Sequence, residues 1–134
     1  RFPGLHLSVN GGVQSLDEAR ALLAEGFDGV MVGRAAYHRP WDILGRADSL
    51  LWGDPDPCAT PEDAVRAMLP MIEAHLAAGG RLHQVTRHML GLLAGRPGAR
   101  AWRRLLSEEA NRPGAGPELV ERALRESAEQ RAVA

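Results

Sequence analysis

The sequence has no lysine, a single cysteine and no long apolar run, and each shortage narrows what the chain can be. No stretch approaches the roughly 18–20 apolar residues of a membrane-spanning helix, which excludes an integral helical membrane role. No basic-then-apolar segment stands at the start, so nothing reads as a secretory signal. Cys58 has no second cysteine for an internal disulfide, and a lone thiol fits a reducing cytosol. It cannot anchor a thiolate-rich zinc site either. Of the 134 residues, 45% are hydrophobic and 25% charged, a balance that excludes disorder throughout. The chain opens on Arg1 rather than Met and runs directly into a strand-like segment, which predicts a piece of a longer protein.

All 16 basic side chains are arginines, set against 17 carboxylates for a formal net charge of −1. The distribution is less even than the total. Residues 1–60 hold 5 arginines and 8 acidic residues, whereas residues 81–112 hold 7 arginines and 2 glutamates, with His83 and His88 besides. A near-neutral chain with a local basic block is a candidate for binding a polyanion.

Leu5–Val9 alternates and is β-prone, so it predicts a short strand running into the Asn10-Gly11-Gly12 turn. Ser15 is placed to N-cap a helix through about Glu25, with Asp17 and Glu18 in its first turn and Gly26 closing it. Asp28–Val32 is nearly continuous in apolar residues, as a buried parallel strand is, and ends at Gly33-Arg34 before a short helical stretch through Tyr37. From Gly53 to Pro61 the composition turns to proline and aspartate, which predicts a linker. Thr60 then reads as an N-cap with Pro61 at the first helical position. Val65 to Leu76 follow at helical spacing, with Pro70 expected to kink the helix. Leu82 to Leu93 predict a second helix ending at Gly95, Trp102 to Ala110 a third, and Leu119 to Leu124 a fourth. The expected fold class is α/β plus all-α: the last two βα units of a (β/α)8 TIM barrel over residues 1–53, a linker over 54–61, and a helical bundle over 62–134.

Two glycine turns follow two strands one helix apart. In parallel α/β folds ligands sit at the carboxyl ends of strands, and in a (β/α)8 barrel the loops after the seventh and eighth strands commonly hold a phosphate. Glycine lets the backbone approach the anion, free N–H groups at a helix start point towards it, and Arg34 adds a fixed charge with fork geometry. The simpler explanation is that the glycines only make tight turns. Two strands cannot close a barrel, so this reading expects six βα units before Arg1.

Ser8-Val9-Asn10-Gly11-Gly12-Val13 and Asp28-Gly29-Val30-Met31-Val32-Gly33-Arg34-Ala35-Ala36-Tyr37 strongly resemble the flavin-binding end of tRNA-dihydrouridine synthases. Thr86-Arg87-His88-Met89-Leu90-Gly91-Leu92 and the stretch from Pro97 to Glu108 resemble signatures of the A subfamily, and the resemblance covers nearly the whole chain. It implies an FMN- and NADPH-dependent reductase of the uridine C5–C6 bond in the tRNA D-loop, at uridines 20 and 20a. A cysteine on an earlier barrel loop would donate the proton, leaving no catalytic residue in this chain. The resemblance places the FMN phosphate at Asn10, Gly11, Gly12, Gly33 and Arg34, and gives tRNA contacts to arginines matching Arg100 and Arg103 in a cytoplasmic, monomeric enzyme. One departure is a stretch from Gly12 to Gly33 that is a residue longer than expected, around Gly26.

Spacing adds to the basic-surface reading. Arg100, Arg103 and Arg104 lie at i, i+3 and i+4 and share a helix face, with Trp102, Leu105 and Leu106 on the packing side. The alternative is a solvated face in which Arg104 pairs with Glu108. Arg87 is expected either to face tRNA or to cap a neighbouring helix. Cys58 is read as non-catalytic, Asp54 and Asp56 as linker solubilisers, and Trp52 and Trp102 as core. His83 and His88 are spaced poorly for a shared metal, and no metal is expected. The isolated chain is expected to be inactive, with an open sheet edge that invites misfolding. Two rivals stand beside this reading. One is a different phosphate-binding TIM-barrel flavoenzyme, and the other a non-enzymatic helical RNA-binding module.

Overall fold

The computed structural model describes residues 3–133, which divide into two compact units, one reaching to Pro57 and the other starting at Cys58. The first unit is a βαβ unit followed by three short helices. Strands β1 (Ser8–Asn10) and β2 (Gly29–Met31) pair in parallel, in the register Ser8↔Gly29, Val9↔Val30 and Asn10↔Met31. A parallel pair needs a crossover, and helix α1 (Leu16–Ala24) provides it. Ser15 Oγ accepts the Glu18 N–H, and the Glu18 carboxylate accepts the Gln14 N–H in turn, so the first turn is closed from both sides.

β1 starts later than the alternation of Leu5–Val9 predicts. The Asp28 carboxylate accepts the Leu7 N–H where a ladder carbonyl would, so regular pairing begins at Ser8. β2 is likewise shorter than the predicted Asp28–Val32, at three residues. Leu5 and Leu7 are 59% and 55% exposed. Helices α2 (Arg34–His38), α3 (Pro40–Leu44) and α4 (Ala47–Leu51) follow β2. Leu16, Ala35 and Ile43 form the buried centre of this unit, with Val32, Leu50 and Leu51 against it. Trp52 corrects the expectation of a core side chain: it stands 68% exposed just beyond α4. Asp56 is likewise more than a solubiliser, because its two oxygens accept the Ser49 N–H and the Ser49 hydroxyl.

The second unit is helical throughout. Helix α5 (Pro61–Ala77) opens with a capping box in which the Thr60 hydroxyl accepts the Asp63 N–H and the Asp63 carboxylate accepts the Thr60 N–H. The helix continues through Pro70, which lies on its exposed side. Helices α7 (Ala99–Glu109) and α8 (Pro117–Val133) pack antiparallel, since Glu109 meets Arg122 while Arg104 meets Glu126. An ion pair between Glu62 and Arg131 joins the start of α5 to the end of α8. Val65, Ile72, Leu82, Trp102, Leu105, Val120 and Leu124 are central in one continuous core. Burying each such side chain contributes about 1.5–3 kcal/mol.

The helix predicted from Leu82 to Gly95 is the main departure. Regular α-helix α6 covers only Leu82–Thr86, after which the chain tightens into i→i+3 turns, among them Met89 N–H to Thr86 O and Leu92 N–H to Met89 O. Met89 and Leu93 are buried, and Val85 and Leu92 pack against the core, so the apolar positions are as read while the helix is not. Trp102 Nε1 donates to Met89 O at 3.0 Å, a carbonyl that also accepts the Leu92 N–H, so the indole ties the irregular run to α7.

Candidate functional site

In the first unit the parallel register brings both strand carboxyl ends to one edge, with Asn10 beside Met31. The turn after β1 places Gly11 at φ +151° and Gly12 at φ +72°, a backbone that disfavours side chains. A Cβ built at Gly11, Gly12 or Gly33 meets no other atom within 4 Å, so the backbone faces open space at all three positions. The Gln14 amide donates to Gly12 O and holds that carbonyl in the turn. After β2, Gly33 precedes α2 without any side-chain cap. Ala35 is buried and roots α2 in the core, while Arg34 beside it is exposed and makes no ion pair among the described residues. With only five residues, α2 has little dipole, so the glycine backbone and the guanidinium are what suit this edge to an anion.

In the second unit α7 separates its faces cleanly. Ala101, Trp102, Leu105 and Leu106 are buried, whereas Arg100, Arg103 and Arg104 are exposed. The three arginines are not alike. Arg104 reaches Glu108 and Glu126, each at 3.6 Å, so it ties α7 to α8 as well as standing on the basic face. Arg100 and Arg103 form no ion pair among the described residues. Arg87 lies at the end of α6, where its Nε donates to His88 Nε2 at 3.0 Å. No Asp or Glu occurs between Glu73 and Glu108, so within this stretch of the sequence the arginines have no acidic neighbour.

Sequence reasoning did not single out the ion pairs behind that face. Glu109 pairs with Arg122 and, at 3.6 Å, with Arg112. The Arg122 hydrogen bond holds the Glu109 carboxyl below its ordinary range, helped by the charges of Arg122, Arg112 and Arg104. The Glu109–Arg112 spacing of i, i+3 was a visible signal; the partner on α8 had none. Arg112, Arg122 and Arg125 also line a cavity of about 380 Å³ at the turn between α7 and α8. Cys58 is half-buried. Among the described residues no group of three or more His, Cys, Asp or Glu side chains is placed to hold a metal, and no helix is long and apolar enough to cross a membrane.

With two anion-suited surfaces described, the comparison with known proteins becomes informative. The model of the dihydrouridine synthase (Dus) family matches residues 1–129. The chain belongs to the dihydrouridine synthase family. It is 52% identical over 119 residues to the tRNA-dihydrouridine(20/20a) synthase of Shewanella oneidensis, covering 89% of this chain and 35% of that protein. It is 51% identical over 130 residues to the enzyme of the same name from Escherichia coli K12, covering 97% of this chain and 37% of the relative. The Vibrio cholerae protein of that name is 48% identical over 123 residues, covering 92% and 37%. The chain thus spans little more than a third of the length of these curated relatives.

Proposed function

We propose that this chain provides the FMN-phosphate site and the tRNA-gripping helical domain of a flavin-dependent reductase that makes dihydrouridine at uridines 20 and 20a of the tRNA D-loop. The observation that carries the reading is a match of 51–52% identity, over most of the chain, to relatives whose names give that activity. In this reading residues 1–53 are the last two βα units of a (β/α)8 barrel, 54–61 the linker and 62–134 the tRNA-binding domain. The break between Pro57 and Cys58 supports a boundary within 54–61.

The residues at the strand ends fit a phosphate. Backbone N–H groups of the Asn10-Gly11-Gly12 turn and of Gly33 would donate to it, and Arg34 would neutralise it, in space left open beside the glycines. When bound, FMN reduced by NADPH supplies the hydride for the uridine C5–C6 double bond. This chain contributes no proton donor: Cys58 sits in the proline-rich linker, and the acid belongs to a barrel segment outside these residues. Arg100, Arg103 and Arg87 grip the tRNA backbone, since guanidinium groups match phosphate and structured RNA is read through backbone and shape. Arg104 adds to the same field while holding α7 to α8.

The test uses the longest protein encoded around this sequence. The purified protein is expected to show flavin absorption and to form dihydrouridine in tRNA. Arg34→Ala is expected to weaken flavin retention roughly 10- to 100-fold, the worth of a lost charge-assisted hydrogen bond. Flavin without tRNA reduction would move the activity to another barrel flavoenzyme. A colourless protein that still binds RNA would leave only the helical module.

A further inference from the structure

We infer that Trp102 is a positioning residue for RNA binding: its buried indole N–H fixes the separation between two arginine-bearing segments. This rests on the reading of the helical unit as an RNA grip. Arg100 and Arg103 are on α7, a regular helix whose inner face is locked in the core. Arg87, whose N–H still bonds to His83 O, and His88 are instead at the start of an irregular run from Arg87 to Gly98, where the backbone bonds that follow are i→i+3. Such turns are weak by themselves, and the buried Met89 and Leu93 side chains tie the run to the core. One long-range hydrogen bond fixes its backbone as well. Trp102 is fully buried and its Nε1 donates to Met89 O at 3.0 Å, two residues from Arg87 and, on the α7 side, one residue from Arg103. The Arg87–His88 hydrogen bond then sets the direction of the Arg87 guanidinium from a backbone already held in place. A grip on structured RNA depends on the spacing of its cations, because phosphates stand at fixed intervals along a folded strand.

The experiment measures binding of the longest protein encoded around this sequence to an unmodified tRNA transcript, together with amide hydrogen exchange. Trp102→Phe keeps an aromatic side chain and removes the donor, at the cost of a small cavity. It is expected to speed exchange at residues 87–92 while α7 stays protected, and to weaken binding roughly fivefold. In the Trp102→Phe background, Arg87→Ala is expected to cost less than twofold more, whereas Arg103→Ala keeps its full effect. A merely structural tryptophan would lower both arginine contributions alike. If Trp102→Phe loses helical circular dichroism, benzothienylalanine at position 102 replaces it, being the same shape without the N–H. Unchanged exchange at 87–92, or an Arg87→Ala effect of equal size in both backgrounds, overturns the inference. A wild-type protein that binds no transcript overturns the RNA reading, and the exchange measurement then decides the positioning alone.

Discussion

Gly95 and Gly98 both sit in left-handed backbone, at φ +77° and +86°, yet replacing them should have different consequences. A Cβ at Gly95 would meet open space, so Gly95→Ala is expected to cost about 1–2 kcal/mol from backbone strain alone. A Cβ at Gly98 would lie 2.1 Å from the Ser127 carbonyl oxygen on α8, and backbone cannot step aside. Gly98→Ala should therefore cost about 1–3 kcal/mol more, read as the difference between the two urea unfolding curves. Neither the left-handed turn nor the clash was visible in Arg96-Pro97-Gly98, because Ser127 is remote in the sequence. Asp56 gives a pH prediction. The Ser49 backbone N–H first, then the Ser49 hydroxyl and the Arg46 charge, hold its carboxyl below the ordinary aspartate range. A carboxyl depressed in the folded state stabilises fully above its unfolded value, about pH 4, and loses that contribution as pH falls through the folded value. The first unit should weaken on acidification below about pH 4, and Asp56→Ala should flatten that part of the acid-unfolding curve.

At the level of elements, local signals were read well where the physics is local. Ser15 and Thr60 were legible as caps because a cap is written within four residues, and both make the expected bonds. Thr60→Ala is expected to destabilise the second unit by about 1 kcal/mol, with Thr60→Ser close to neutral, as thermal melts followed by circular dichroism would show. The α6 region shows the limit of such reading. Its apolar spacing correctly marked core positions, but spacing does not reveal that the backbone tightens into i→i+3 turns after Thr86. Likewise α3 and α4 had no periodic stripe long enough to announce them, and their burial comes from contact with Leu16 and Ala35. Trp52 was misplaced for a related reason: hydrophobicity predicts burial only where an element is present to cover the side chain, and here it is exposed.

Across the whole molecule, the candidate sites were legible as residue types and less so as roles. Glycine turns and an arginine cluster stand out in any reading of the sequence, whereas the sharing of Arg104 between Glu108 and Glu126 depends on how α8 returns along α7. That difference makes a prediction. Binding to a tRNA transcript should weaken steeply with salt, and Arg100→Ala and Arg103→Ala should each reduce the slope of log K against log salt by about 0.7–0.9. Arg104→Ala should change the slope less and instead lower the thermal midpoint slightly, as loss of exposed ion pairs does. A titration across several salt concentrations checks all three. The α7 face has one more consequence, which comes from its cations all being guanidinium groups. A guanidinium keeps its charge over any pH range in which a protein stays folded, and it offers no amine to acylating reagents or acetyl-transferring enzymes. If the proposed RNA grip is right, its hold on a polyanion should be loosened by ionic strength, while amine-directed chemistry should leave it untouched.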